Sequence, residues 1–288
     1  MSENQIPTYA QLWHRLTPIY EAGEAKAIVR RMMEECFGLS LADLLCDGMA
    51  RLDVAQLTQL EAMMRRLEKA EPLQYVLGYE WFMGRRLQVG PGVLIPRPET
   101  EVLCQWVIER QPKARRVLDV GCGSGCIAVS LALALQDANV TAWDIASEAL
   151  RLTRLNAEAY GAKVTVERRD ILLPDASGMA ADRWDVVVSN PPYICESEAS
   201  AMHPNVTGYE PSVALFVPDD HPLLFYEVIA RYAASALKAG GALYFECHER
   251  YADDVAAMLR RQGYAQVETR PDQYGKPRFV RACPSGNT

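Results

Sequence analysis

The chain has 288 residues, 49% hydrophobic and 23% charged, which is ordinary globular usage and enough for one large domain or two. Thirty Lys and Arg stand against 37 Asp and Glu for a formal charge of −7, so no general basic field is available to hold a polyanion. No apolar run approaches the roughly 18 residues of a membrane span. Met1-Ser2-Glu3-Asn4 lacks the order of a secretory signal, and neither end carries a lipidation motif. Eight cysteines without a C-x-x-C pair and four scattered histidines predict reduced thiols, a cytoplasmic protein and no metal site.

Residues 8 to 70 read as helices only. Apolar side chains recur at three- and four-residue steps through Tyr9–Tyr20, Ala25–Phe37 and Val54–Leu67; Asp53 with Gln56 has capping-box spacing, and Gly38 is placed to stop the second helix. The pattern predicts a small helical bundle over residues 1–73 that serves for docking. Residues 74–97 change character: short β-rich pieces at Tyr75-Val76-Leu77, Glu80–Met83, Arg86–Val89 and Val93–Ile95, broken by glycines, predict a β-hairpin linker. Over 98–288 strands near 116–120, 140–144, 163–167, 185–189 and 242–246 alternate with helices near 101–110, 125–135, 147–159, 223–237 and 252–262. Alternation of this kind predicts a Rossmann-like α/β fold, a mostly parallel seven-stranded sheet with ligands at the carboxyl ends of its strands. The last two strands, near 266–269 and 278–281, are expected to add an antiparallel edge.

Val117-Leu118-Asp119-Val120-Gly121-Cys122-Gly123-Ser124-Gly125 is an apolar strand entering a glycine-rich turn that opens a helix. Without Cβ atoms such a turn lets backbone N–H groups approach a ligand closely. The dinucleotide fingerprint would place its third glycine one residue later, so the spacing counts against a dehydrogenase. G-x-G-x-G after an acid-bearing strand resembles motif I of class I S-adenosylmethionine-dependent methyltransferases, and Asp119 suits a cationic ligand better than a pyrophosphate. Asp144, 23 residues after Gly121, can accept hydrogen bonds from a ribose diol. Asp170 is placed for an adenine amino group and Ile171 for its ring. Acids thus end three successive predicted strands.

Asn190-Pro191-Pro192-Tyr193 follows the fourth parallel strand; with Pro near 5% usage its chance occurrence is on the order of one in a thousand. Prolines fix φ and remove two backbone donors, leaving outward carbonyls. That chemistry suits methyl transfer to a planar NH2 group, whose delocalised lone pair must be oriented: the Asn190 side-chain oxygen and the Pro191 carbonyl accept one N–H each, and Tyr193 supplies a flat wall.

The segment Leu94-Ile95-Pro96-Arg97-Pro98-Glu99-Thr100-Glu101, with the Gly121 loop and Asn190–Tyr193, closely resembles the HemK/PrmC family of protein-(glutamine-N5) methyltransferases. The likeness continues at Glu71–Gly78, Gly208–Leu215 and Lys276–Val280. The resemblance implies a helical domain, a hairpin linker and a seven-stranded methyltransferase domain. It implies S-adenosylmethionine as cofactor and, as substrate, the glutamine of the Gly-Gly-Gln loop of class I peptide-chain release factors. Cofactor contacts carry over to Gly121 through Gly125, Asp144, Ile171 and Asn190, and the glutamine clamp to Asn190 through Tyr193. Arg97, Glu99 and Glu101 look like an organising network near the pocket mouth, with Asp119 and Glu210 supporting loops. A monomer without direct nucleic-acid binding is expected. Three other readings stay open: a ribosomal-protein glutamine methyltransferase, an adenine-N6 nucleic-acid methyltransferase using the same clamp, and a silent cofactor sensor.

Overall fold

The computed structural model describes residues 6–173 and 184–285; the readings made from the two termini lie outside them. Two compact units form, one from the chain up to Tyr79 with His203–Tyr209, the other from Glu80–Met202 and Glu210 onward. Among the described residues no helix is long and apolar enough to cross a membrane.

The first unit is helical: α1 (Tyr9–His14), α2 (Ala22–Phe37), α3 (Leu41–Leu45), α4 (Val54–Leu67) and α5 (Leu73–Leu77). The Asp53 carboxylate accepts from Gln56 N at 2.8 Å while the Gln56 side chain accepts from Asp53 N at 3.0 Å, a closed capping box worth about 1 kcal/mol. Gly38, at φ 66°, ends α2. Leu12, Leu16, Val29, Met32, Met33, Leu60, Met64 and Leu67 are packed together with almost no exposure. The segment His203–Tyr209 belongs to this unit: His203 stacks on Tyr20 and meets the Ile19 carbonyl at 3.1 Å, and the Tyr209 hydroxyl donates to the Lys69 carbonyl at 2.6 Å.

Tyr75-Val76-Leu77, expected as β-rich, is the body of α5. Pro72 sits at its start and Gly78, φ 82°, at its end, and these boundary residues outweigh the β propensity of Tyr and Val in so short a piece.

A hairpin begins at the last residue of the first unit and opens the second, β1 (Tyr79–Phe82) and β2 (Arg85–Gln88), joined by Met83 and Gly84, both at positive φ (47° and 73°) as a two-residue primed turn demands. Val93–Ile95, expected as a strand, is not one. Then follow α6 (Pro98–Arg110), β3 (Arg116–Val120), α7 (Cys126–Ala134), β4 (Asn139–Asp144), α8 (Ser147–Ala159), β5 (Val164–Arg168) and β6 (Trp184–Ser189). Beyond β6 come β7 (Ile194–Cys195), then α9 (Pro204–Thr207), which belongs to the first unit, and then α10 (Ser212–Leu215) and β8 (Phe216–Val217), β7 and β8 pairing parallel. The chain closes with α11 (Leu224–Ala236), β9 (Leu237–Glu246), α12 (Ala252–Arg261), β10 (Tyr264–Pro271) and β11 (Pro277–Pro284).

The seven-stranded sheet has the order β10-β11-β9-β6-β3-β4-β5. The last two strands add the expected antiparallel edge: β11 alone runs against the other strands, paired between β9 and the outermost β10. Strand order reverses between β3 and β6, the crevice where such sheets bind ligands. Side chains alternate across the sheet: Val117, Val186, Ala242 and Tyr244 face α6 and α7, while Leu118, Val187, Leu243 and Phe245 face α11 and α12. The same parity puts Asp119 and Glu246 on the α6 and α7 side.

Asn156, fully buried on α8, accepts from Gln88 N at 2.7 Å and donates to the carbonyls of Gln88 (3.0 Å) and Ser124 (2.8 Å), tying β2 to the glycine turn. Asn156→Ala strands those groups, so we predict a loss of about 2–3 kcal/mol, read from the urea midpoint at unchanged slope.

Candidate active site

The glycine turn is fastened at its start: the N–H groups of Gly121 and Cys122 both donate to the Trp143 carbonyl, at 2.9 and 3.0 Å. Gly121, Gly123 and Gly125 hold φ of 77°, 54° and 81°, conformations that side-chain-bearing residues avoid. A Cβ at Gly121 or Gly123 would meet nothing within 4 Å, whereas one at Gly125 would meet Thr153 at 2.9 Å. The first two glycines therefore keep a wall low, and the third lets α7 pack on α8.

That wall borders an open cleft at the carboxyl ends of β3, β4 and β6, about 960 Å³ of empty space including the solvent at its mouth. Asp144 lines it with both oxygens engaged, Oδ2 accepting from Gly123 N at 3.0 Å and Oδ1 from Ala146 N at 2.9 Å. Two backbone donors fix that carboxylate while leaving lone pairs for a further partner. Asp170 and Ile171 line the cavity after β5, Asp170 Oδ1 accepting from Leu172 N at 2.9 Å. Trp143 and Arg169 also line it, the guanidinium 4.7 Å over the indole ring.

Asn190, Pro191 and Pro192 form the wall beyond β6. Asn190 Nδ2 donates to Thr100 Oγ1 at 3.3 Å, and the Thr100 hydroxyl donates to Glu246 Oε2 at 2.6 Å. The Tyr193 hydroxyl donates to the other oxygen, Glu246 Oε1, at 3.4 Å. One carboxylate at the end of β9 thus holds both ends of the four-residue turn. Burial pushes the Glu246 carboxyl up to about 7, against the Thr100 hydrogen bond and the positive field of Arg278. Burial likewise pushes the Tyr193 phenol well above its ordinary range. With its amide nitrogen turned to Thr100, Asn190 has its oxygen left for the cavity.

The expected residues divide into two sets. Gly121, Gly123, Asp144, Asp170, Ile171, Asn190, Pro191 and Pro192 border the cavity; Asp119, Cys122, Ser124, Gly125 and Tyr193 do not. Asp119 stands behind the wall, without exposure, Oδ2 accepting from Ala128 N at 3.1 Å at the start of α7, and Oδ1 has no partner among the described residues. Cys122 and Ser124 are buried, Cys122 Sγ lying 3.3 Å from Thr153 Oγ1. Tyr193 packs among the α11 and α12 core residues and edge-on to His248. Glu210 supports the segment before α6, accepting from Ile95 N at 2.9 Å and pairing with Arg97 at 2.5 Å, while Glu101 accepts from Met83 N at 2.7 Å. Reading by sequence missed the Thr100 and Glu246 relay, Trp143 and Arg169, and the wall segments Val93–Leu94 and Pro211–Ala214. An acid ending yet another strand was the one available signal for Glu246.

A seven-stranded sheet of this order, with a glycine turn and an acid at successive strand ends, defines a class I methyltransferase. Residues 98–206 match the methyltransferase small domain and residues 8–78 the PrmC N-terminal domain. A release factor glutamine methyltransferase of Bacteroides thetaiotaomicron is 42% identical over 279 residues, 97% of this chain and 99% of the relative. Its counterpart from Flavobacterium psychrophilum is 34% identical over 94% of this chain and 96% of its own length. The fold also matches the T. thermophilus 16S rRNA N2 G1207 methyltransferase in complex with AdoMet and guanosine, at TM-score 0.50 and 19% identity, over 72% of this chain and 50% of that one. The chain belongs to the release factor glutamine methyltransferase family and is an enzyme of that kind.

Burial pushes the Asp119 carboxyl from 3.8 up to about 8. A folded-state value above the unfolded one contributes stability below pH 4 that is lost as pH rises through 8. Asp119→Asn has no such dependence at this position, so its melting temperature should gain on the wild type between pH 5.5 and 8.5; a constant difference would contradict a neutral buried acid.

Proposed function

We propose that the chain transfers a methyl group from S-adenosylmethionine to the side-chain amide nitrogen of the glutamine in the Gly-Gly-Gln loop of class I release factors. The observation that carries this reading is the turn beyond β6, with the Asn190 oxygen left to the cavity, its nitrogen occupied, and two prolines without N–H groups. A wall with acceptors and few donors complements an NH2 group, which has two donors to place.

The residues present suit this cofactor. The open space over Gly121 and Gly123 accommodates the amino-acid portion, Asp144 offers unshared lone pairs to ribose hydroxyls, and Ile171 offers an apolar face for the adenine beside Asp170. When bound, S-adenosylmethionine supplies an electrophilic methyl carbon on a sulfonium. Asn190 Oδ1 and the Pro191 carbonyl accept the two amide N–H groups and turn the nitrogen lone pair toward that carbon. As nitrogen gains positive charge the same two acceptors bind it more strongly, so they favour the transition state over the ground state. The proton leaves after transfer, when the nitrogen has become acidic, and no strong base need touch it.

Asp119 acts from behind, holding the start of α7 and with it the turn. Tyr193 acts as a brace rather than as a stacking wall, since its ring lies in the core. We place the activity in the cytoplasm, which the eight free thiols support.

Mass spectrometry of the tryptic loop peptide, after incubation of a release factor with enzyme and cofactor, should show one added methyl on glutamine. Label appearing only in a ribosomal protein or in nucleic acid would reject the release-factor assignment. Asn190→Ala should lower kcat on the order of 100- to 1,000-fold, as removal of an oriented transition-state partner does. Gly123→Val should weaken binding of S-adenosylhomocysteine, measured by calorimetry, because its side chain fills the open space and strains φ.

A further inference from the structure

We propose that Thr100 and Glu246 are positioning residues of the amide clamp, fixing which atom of the Asn190 carboxamide faces the cavity. The inference rests on the glutamine-methylation reading above and extends it to residues that do not line the cavity.

A carboxamide can be seated two ways that fill the same volume and exchange oxygen for nitrogen. Seated with oxygen toward the cavity, Asn190 accepts an N–H from a substrate amide; seated the other way, it presents its own N–H groups to the substrate's, and the contact is repulsive. Neither the shape of the site nor the fixed φ of the following prolines distinguishes the two, so hydrogen bonding must.

The Thr100 hydroxyl has one proton, directed at Glu246 Oε2 over 2.6 Å. Its remaining capacity toward Asn190 is as an acceptor, and the atom that satisfies it is Nδ2, at 3.3 Å. Orientation therefore passes from carboxylate to hydroxyl to amide. Thr100 and Glu246 are 2% and 1% exposed, so water does not compete for these partners. The second carboxylate oxygen receives the Tyr193 hydroxyl, which anchors the far end of the turn. Strand parity explains the meeting: Glu246 follows Phe245 on β9 and faces α6, whose first turn carries Thr100.

Thr100→Val keeps the shape and removes the hydroxyl; Thr100→Ser keeps the hydroxyl. Methyl transfer to a release factor should fall on the order of 10- to 100-fold in kcat for Thr100→Val and return to within about threefold of wild type for Thr100→Ser. The affinity for S-adenosylhomocysteine, measured by calorimetry, should stay within about twofold in both. Glu246→Gln, which retains an acceptor for Thr100, should outperform Glu246→Leu.

The discriminating measurement is a double-mutant cycle. In an Asn190→Ala background Thr100→Val should cost nothing further, because no carboxamide remains to orient. Penalties that multiply, or Thr100→Val turning over at the wild-type rate, would overturn the proposal. Should Thr100→Val fail to fold, as judged by circular dichroism, Thr100→Ala enters the same cycle with the same expected outcome. Wild-type enzyme that leaves the release factor unmodified would instead refute the functional reading, so the two failures are told apart.

Discussion

A carboxylate taken out of water must be compensated by hydrogen bonds, and at the end of β9 that requirement organises the site. Glu246 has two such partners, Thr100 from α6 and Tyr193 from the turn beyond β6, and the positive field of Arg278 on β11 adds to them. Three elements distant in sequence are thereby brought to one point. Removing either hydroxyl leaves a buried carboxylate oxygen unsatisfied, which costs more than the net worth of the bond itself. The turn's geometry is consequently set by its supports, while the groups it shows the cavity are left free.

The same separation of supporting from presenting groups recurs at the glycine turn. Asp119 binds Ala128 N from the sheet side, and the Trp143 carbonyl receives Gly121 and Cys122. Asp144 belongs to both sets, since two backbone donors hold its oxygens in place while it still borders the cavity. Groups fixed before a ligand arrives lose little further freedom on binding, so more of the interaction energy appears as affinity and orientation.

Most of the architecture was readable because periodicity is a local property. β3 was predicted at its observed bounds, as were α8 and α4, where an apolar stripe or a strand core coincides with clear end signals. α5 was misread because five residues are too few to show a helical period, although Pro72 and Gly78 marked its ends. Of the site, the glycine turn and Asn190-Pro191-Pro192 were legible as strings. Asp119 was read both as a ligand contact, from its position in the motif, and as a support for its loop; it shares a face of β3 with Val117, and counting side-chain alternation turns it toward α7. The bond between Thr100 and Glu246 spans 146 residues, and no single-chain pattern announces a pairing of that range.

An inventory of donors at the turn bears on substrate choice under the proposed reading. Pro191 and Pro192 contribute none, Asn190 Nδ2 is committed to Thr100, and the Tyr193 hydroxyl is committed to Glu246. The balance of the turn is thereby tilted toward oxygen acceptors, and that tilt distinguishes an amide from a carboxylate of nearly identical shape. A glutamate side chain would bring two acceptors against two acceptors, with a negative charge facing unshared lone pairs. A glutamine brings two donors. Packing cannot separate these isosteres, whereas an unpaired set of buried polar groups rejects the wrong one strongly. The prolines, by removing N–H groups, and the relay from Glu246, by engaging the amide nitrogen, thus act toward one end: a wall weighted toward acceptors.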